Sequence, residues 1–280
     1  MGEISASGPT AGLDVTVMSY NVRYANPNDG AHVWENRRDG LASVIRFHRP
    51  DVIGVQEAAP TQVDDLRERL PSFAWLSAGR GAAGEAGEYA SLGYDADRFE
   101  PVSDGTFWLS ETPSEPGRSG WDAALPRLVR HARFRVDGTD AELVHFNTHF
   151  DHDGERARRE SAALLRDRID EIAPASPIVV TGDFNARPSS AAYEQLTADP
   201  EDGGRAIVDA CTASSTASHG PETTMTDFRA LVPDKKIDYV MVSAGADVHL
   251  HGVVSAMVDR GRFPSDHLPV LARVSFSASG

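Results

Sequence analysis

Two residues apart at the end of the apolar run Pro177 to Val180, Asp183 and Asn185 offer hard oxygen ligands for a divalent cation and a handle on a water molecule. Nearer the C-terminus, Asp266-His267 stands just ahead of the apolar run Val270 to Val274. It joins a carboxylate to a ring that can donate a proton or polarise a phosphoryl oxygen. Strand ends are where α/β sheets gather such groups. Each pair also has a plainer reading, because Asp-x-Asn closes turns and caps helices as readily as it binds ions. Glu57 is a third strand-end acid, and in a helix first turn it would simply favour the helix dipole.

The elements that must position these residues follow from periodicity. Val15 to Tyr20 and Asp51 to Gln56 read as buried strands. Trp34 to His48 reads as a helix stopped by Arg49-Pro50, and Pro60 to Leu70 as a helix opened by proline, which places Glu57 on a strand-to-helix loop. Phe73 to Leu76, Ala90 to Tyr94, Phe99 to Trp108, Leu128 to Val136 and Ala141 to Thr148 read as strands. Helices are expected over Glu155 to Ile172 and Ser189 to Leu196, and strands over Ile178 to Thr181, Ile237 to Val242, His249 to Val258 and Val270 to Ser275. Strand runs broken by occasional helices, with no repeat or linker, predict an α/β fold of two mixed sheets packed face to face with helices outside. A TIM barrel would need more helices.

Composition narrows the classes. With 280 residues and 40% hydrophobic content, residues 13–280 are expected to form a single domain behind a disordered tail at 1–12. The one cysteine, Cys211, excludes an intramolecular disulfide framework and a thiolate cluster, so a metal is expected on oxygen and imidazole, which favours Mg²⁺ or Mn²⁺. No apolar run is long enough to span a bilayer, and Met1 to Gly12 lacks the basic and apolar segments of a leader. The expected address is the cytoplasm, or the outside if a leader has been removed. A net charge of −15 argues against general binding of long nucleic acid, although local charge counts for more than the sum. Nothing in the pattern sets an oligomeric state.

With the elements placed, the chain resembles the endonuclease/exonuclease/phosphatase superfamily, the DNase I-like fold. The matching blocks are Met18-Ser19-Tyr20-Asn21-Val22-Arg23, Val52-Ile53-Gly54-Val55-Gln56-Glu57, Asn147-Thr148-His149-Phe150-Asp151-His152, Thr181 to Asn185, Lys236-Ile237-Asp238-Tyr239-Val240 and Pro264 to Pro269. They stand in the family's order and span almost the whole chain. The resemblance implies a four-layer α/β sandwich and a metal-dependent phosphoester hydrolase. It implies Glu57 as the principal ligand of Mg²⁺ or Mn²⁺, with Asn21 and Asp266 beside it. It further implies His149 at the scissile phosphate, Asp183 as activator of the attacking water, Asn185 as orienter, and Asp238 with His267 as a carboxylate–imidazole pair. Asp151 and His152 continue the His149 loop as candidates for contact with substrate or with the side chains that touch it.

Gly105 to Pro113 and Trp121 to Arg127 resemble a bacterial branch of hydrolases, related at a distance to deadenylase-like nucleases and to phosphatases of small molecules or lipids. That branch carries an arginine at the end of the block matching Glu88 to Asp95, where this chain has Asp95. Glu88 remains a candidate cleft residue. Gly79 to Gly84 has the spacing of a dinucleotide loop but no helix follows, so it is expected as a mobile loop beside the site, with Arg80 within reach of a substrate phosphate. Trp108 is expected in the core and Trp121, in a Gly/Pro/Ser-rich loop, against substrate. Of Arg156, Arg158 and Arg159, most are expected on a solvated face and one toward phosphate. A phosphatase of a small organic phosphate, sugar phosphate or phospholipid-type substrate is the leading expectation. A nuclease or phosphodiesterase comes second, and a scaffold without catalysis third.

Overall fold

The structure, a computed structural model, describes residues 12–81, 87–200, 204–258 and 261–277. The expected N-terminal tail, apart from Gly12, lies outside the described residues, as do 82–86 of the glycine-rich loop. Two six-stranded sheets form the centre. The first is ordered β11 (Asp247–Val253), β12 (Val270–Phe276), β1 (Leu13–Asn21), β2 (Val52–Ala58), β4 (Tyr89–Asp95), β3 (Phe73–Gly79). The second is ordered β5 (Phe99–Trp108), β6 (Leu128–Val136), β7 (Glu142–His149), β8 (Ile178–Asp183), β10 (Asp238–Ser243), β9 (Ile207–Asp209). Both are mixed in the same way. A central parallel pair, β1/β2 or β7/β8, has antiparallel neighbours on each side. A parallel pair needs a crossover, supplied by α1 (Trp34–His48) in one sheet and α3 (Glu155–Ile172) in the other.

The layers are α/β/β/α. Leu41 and Ile45 of α1 and Val63 and Leu66 of α2 (Pro60–Arg69) cover Met18, Tyr20, Ile53 and Val55 on the outer face of the first sheet. Leu165 and Ile169 of α3 and Leu196 of α4 (Ala191–Thr197) cover Val144, Phe146, Val180 and Tyr239 on the second. Between the sheets lie Val15, Val17, Val52, Leu92, Phe134, Val179 and Val240. No helix among the described residues is long and apolar enough to cross a membrane.

Strand alternation decides what stands between the sheets. The inward positions of β1 begin as Val15 and Val17 and continue as Ser19 and Asn21. The same change from apolar to polar occurs in β2 (Val52, then Gly54 and Gln56), β7 (Leu143, then His145 and Asn147) and β8 (Val179, then Thr181 and Asp183). Register aligns the changes, pairing Asn21 with Gln56, Asn147 with Thr181, and Asp183 with both His149 and Asp238. A polar zone thus forms at the C-terminal ends of both parallel pairs.

Several boundaries differ from expectation. Glu57 lies inside β2 rather than on a loop. α4 starts at Ala191 because Ser190 is its cap, its hydroxyl accepting the Tyr193 N–H at 3.3 Å. β11 ends at Val253 instead of Val258, since its partner β12 begins at Val270 and Pro269 has no N–H to extend the ladder. β9, three residues long, is too short for a periodicity signal.

Candidate active site

The polar zone opens into a cleft of about 760 Å³. Glu57 reaches it through a bulge. The register of β2 on β4 slips between Val55 and Ala58, and Glu57 adopts φ +65°, the left-handed region. Regular alternation would turn Glu57 to the helix side, opposite Gln56. Instead its Oε1 accepts from Asn21 Nδ2 at 2.9 Å and its Oε2 from the Tyr24 N–H at 3.0 Å. Arg23 (φ +54°) and Asn185 (φ +47°) line the same cleft in the same region. Such backbone costs about 1–3 kcal/mol per residue and persists where surrounding structure over-determines it.

Asp183 is the hub. Its Oδ1 accepts the Asn185 N–H at 2.9 Å, and its Oδ2 accepts from Asn21 Nδ2 at 3.0 Å and lies 3.4 Å from His149 Nε2 and 3.8 Å from His267 Nε2. Burial and the neighbouring Asp238 charge push its carboxyl up to about 7, against the pull of His267 and of its hydrogen bonds. The two histidines are driven apart. Burial alone would lower His267, but the Asp238 and Asp183 carboxylates overcome it and hold the ring charged. Its Nδ1 is 2.9 Å from Asp238 Oδ2, which fixes that edge and leaves Nε2–H toward the cleft. His149 is held neutral by burial, Arg127 and the charged His267. Asn185 Nδ2 donates to the Phe150 carbonyl at 3.0 Å and lies 3.2 Å from His149 Nε2.

Ligand atoms of Glu57, Asp183 and His267 lie within 4.8 Å of one another, and Asp238 Oδ1 is buried without a partner. An oxygen-rich set of this kind fits a hard divalent cation. Glu57 and Asp183 are the carboxylates of that set, and His267 its ring. Asp266 lines the cleft 3.7 Å from Arg23 Nε, its carboxyl pushed up by burial. Asn21, expected as a ligand, has its Oδ1 on the Arg23 N–H and its Nδ2 on the two carboxylates, so in this arrangement it orients Glu57 and Asp183.

Two supports escaped the reading of the sequence. Arg37 is buried in α1 with its guanidinium on backbone carbonyls only, those of Val22, Arg23, Tyr24, His32 and Pro264, so it ties the segment carrying Arg23 and Tyr24 to the one carrying Asp266. The signal was present, because Trp34, Arg37 and Leu41 share one buried helical stripe. Asn147 bridges the sheets. Its Nδ2 donates to the carbonyls of Val55 (2.9 Å) and Ser91 (3.0 Å), and its Oδ1 accepts from Gln56 Nε2 (2.7 Å) and Thr181 Oγ1 (3.0 Å).

Around the rim, Arg80 and Glu88 line the cleft as a two-pronged pair at 3.0 and 2.9 Å, and His152 lines it 3.0 Å from Arg127. Asp151 does not reach the cleft. It is buried, accepting backbone N–H groups of Ala124, Leu125, Asp153 and Gly154 at 2.9 to 3.2 Å and Arg127 Nε at 3.4 Å, so it clasps the loop that presents Arg127. Trp121 is also absent from the lining. Its N–H donates to the Glu111 carboxylate at 3.1 Å, while Asp122 accepts the free N–H groups of Arg156 (3.3 Å) and Ala157 (2.6 Å) at the start of α3. These loop residues latch the scaffold. Besides His267 the cleft carries six arginine and lysine side chains (Arg23, Arg80, Arg127, Arg158, Arg187, Lys235) against four carboxylates (Glu57, Glu88, Asp183, Asp266), so its local balance is opposite to that of the whole chain.

Among solved structures, an endonuclease/exonuclease/phosphatase protein from Bacteroides vulgatus is 38% identical, with a TM-score of 0.88, covering 94% of this chain and 99% of its own. A mannosyl-6-phosphatase from Bacteroides thetaiotaomicron is 32% identical, with a TM-score of 0.86, over 94% of this chain and 100% of its own. Two curated relatives are matched over 59% and 39% of their own lengths. The latter, a probable RNA exonuclease of Schizosaccharomyces pombe, is 28% identical over 202 residues, 67% of this chain. The family profile described as Endonuclease/Exonuclease/phosphatase matches residues 18–267. The chain belongs to the endonuclease/exonuclease/phosphatase family.

Proposed function

We propose that this protein is a divalent-cation-dependent phosphomonoesterase of small organic phosphates, with sugar phosphates as the first class and Mg²⁺ as the cation. The observation that carries this reading is the Asp183 hub, whose Oδ2 lies 3.4 Å from His149 Nε2 and 3.8 Å from His267 Nε2 on one cleft floor. Likeness along nearly the full chain to a mannosyl-6-phosphatase supports the substrate class.

Asp183, whose Oδ1 accepts the Asn185 N–H at 2.9 Å and whose carboxyl burial and Asp238 push up, is poised to take a proton from water positioned with Asn185. Opposite, His267 donates from Nε2 to a phosphoryl oxygen, and Asp238 keeps that proton in place as negative charge builds. Arg127, braced by Asp151, and Arg80 hold the phosphate from the rim. A divalent cation held by Glu57, with Asp266 beside it, would neutralise phosphoryl charge when bound and leave Asp183 for the water.

Mannose 6-phosphate, bis(4-nitrophenyl) phosphate and a labelled oligonucleotide, each assayed with Mg²⁺, Mn²⁺ and EDTA, test the reading. EDTA-sensitive phosphate release from the monoester is expected. Cleavage confined to the oligonucleotide would replace this reading with a nuclease, which the cation excess of the cleft and the exonuclease relative favour as the alternative.

A further inference from the structure

Past Asn185 the cleft continues into a groove of about 270 Å³ between the start of α3 and the segment leading to α4. Arg158, Arg187, Ser189 and Ser190 line it, and Arg158 and Arg187 also line the main cleft, so the two spaces adjoin across those side chains. Glu155 is its one carboxylate.

The cations here differ from those around the catalytic floor. Arg23 is matched by Asp29 and Asp266, Arg80 by Glu88, and Arg127 by Asp151. On α3, Arg156 and Arg159 turn to Glu160, at 4.0 and 2.6 Å. Arg158 turns the other way and places one N–H on the Asp151 carbonyl at 2.9 Å, which anchors the guanidinium; its other donors have no partner among the described residues. Arg187 has no side-chain hydrogen bond or ion pair among the described residues. The first N–H groups of α3 are already taken by Asp122, so an anion in the groove would be held by side chains. Planar guanidinium forks without carboxylate partners, at the edge of a phosphate-handling cleft, suit a phosphate.

We propose that this groove is a second phosphate subsite, and that the preferred substrates carry two phosphates, one at Asp183 and one between Arg158 and Arg187. The inference rests on the phosphatase reading. In the reaction water adds to phosphorus at the catalytic floor, and the ester oxygen departs with the bonding pair and takes up a proton. The products are inorganic phosphate and an alcohol that keeps the second phosphate.

Kinetics with mannose 6-phosphate and mannose 1,6-bisphosphate test it in the wild type, Arg187→Ala, Arg187→Lys and the Arg158→Ala/Arg187→Ala pair. The wild type is expected to favour the bisphosphate by about tenfold or more in kcat/KM. Arg187→Ala should remove most of that preference through KM, Arg187→Lys should restore part of it, and the pair should abolish it. The exposed Arg187 side chain has no partner among the described residues, so Arg187→Ala is expected to fold as the wild type does. A wild type without preference, or an Arg187→Ala that affects both esters equally, overturns the subsite. A 5′-phosphorylated dinucleotide distinguishes sources, since its preference over the sugar bisphosphate, lost in Arg187→Ala, keeps the subsite and makes the second phosphate a nucleotide's. Calorimetry on Asp183→Ala supplies a readout apart from turnover. Bisphosphate should bind about tenfold tighter than monophosphate, and the difference should vanish with Arg187→Ala added. If the wild type hydrolyses neither ester, the phosphatase reading fails while the calorimetric comparison still decides the subsite.

Discussion

At the end remote from the cleft the two sheets meet through Val17, Val52, Leu92, Phe134, Val179 and Val240, and at the cleft end the same layers meet through Ser19, Asn21, Gln56, Asn147, Thr181 and Asp183. Both zones are buried, and they do different things. Apolar contact stabilises by about 25 cal/mol per Å² and is indifferent to direction. Buried hydrogen bonds yield only about 0.5–1.5 kcal/mol net, but each fixes a distance and an angle. The apolar zone therefore holds the sheets together, and the polar zone holds them in register so that Glu57 of one faces Asp183 of the other. Gly54 marks how close that approach is, because a Cβ there would lie 1.8 Å from Thr181 Oγ1 and 2.4 Å from Asn147 Oδ1.

The largest break in this comparison should come from the cleft floor. Glu57→Ala, Asp183→Ala or His267→Ala is expected to lower kcat by about 10³ or more without a comparable loss of stability. Steady-state kinetics beside thermal melts check this, and near wild-type turnover in any of the three would remove that residue from its role. Next come the zones themselves. Phe134→Ala should cost about 3–5 kcal/mol in denaturant melts while kcat of the folded fraction stays within about twofold. Asn147→Ala and Gly54→Ala should cost less, about 1–3 kcal/mol, yet lower kcat by about tenfold or more. If Asn147→Ala loses stability and keeps kcat, the division between holding and positioning fails.

A smaller effect is expected from pH. His267 has a folded-state pKa above its unfolded value, so its contribution is full below the ordinary range near 6.5 and is lost as pH rises through the folded value. Asp183, also raised, contributes below about 4 and has lost that contribution by about 7. His145 and His149, held low by burial, oppose this only below neutrality. EDTA-treated protein should therefore melt at lower temperature at pH 9 than at pH 7, and His267→Ala should flatten the slope. An unchanged slope would mean that the ring is not charged. The smallest effect belongs to the rim. Glu88→Gln should leave stability within about 1 kcal/mol, since the amide keeps a hydrogen bond to Arg80 at the cleft rim, and shift KM a few-fold as Arg80 is released.

The four-layer architecture was legible because strand alternation and helical stripes are written in neighbouring residues, and the change from Val15 and Val17 to Ser19 and Asn21 can be read along β1 alone. Trp121 and Asp151 were ambiguous for a related reason. A loop tryptophan looks the same whether its ring meets a substrate or, as here, its backbone N–H donates to the Glu111 carboxylate, and a strand-end acid looks the same whether it meets a substrate or, as here, accepts backbone N–H groups of the scaffold. Likewise, three arginines at the start of α3 are equivalent until Glu160 takes two and the cleft receives Arg158.

By itself the sequence determined which chemical groups stand at which strand ends, since side-chain type and period-2 facing are local properties of the chain. The tertiary structure alone decided their states and aims. Asn21 bridges to Asp183 across 162 positions and Asp238 charges His267 across 29. A bulge turns Glu57 into the cleft, and burial leaves His149 neutral beside a charged His267. Those properties depend on charge, distance and desolvation among residues that only folding brings together.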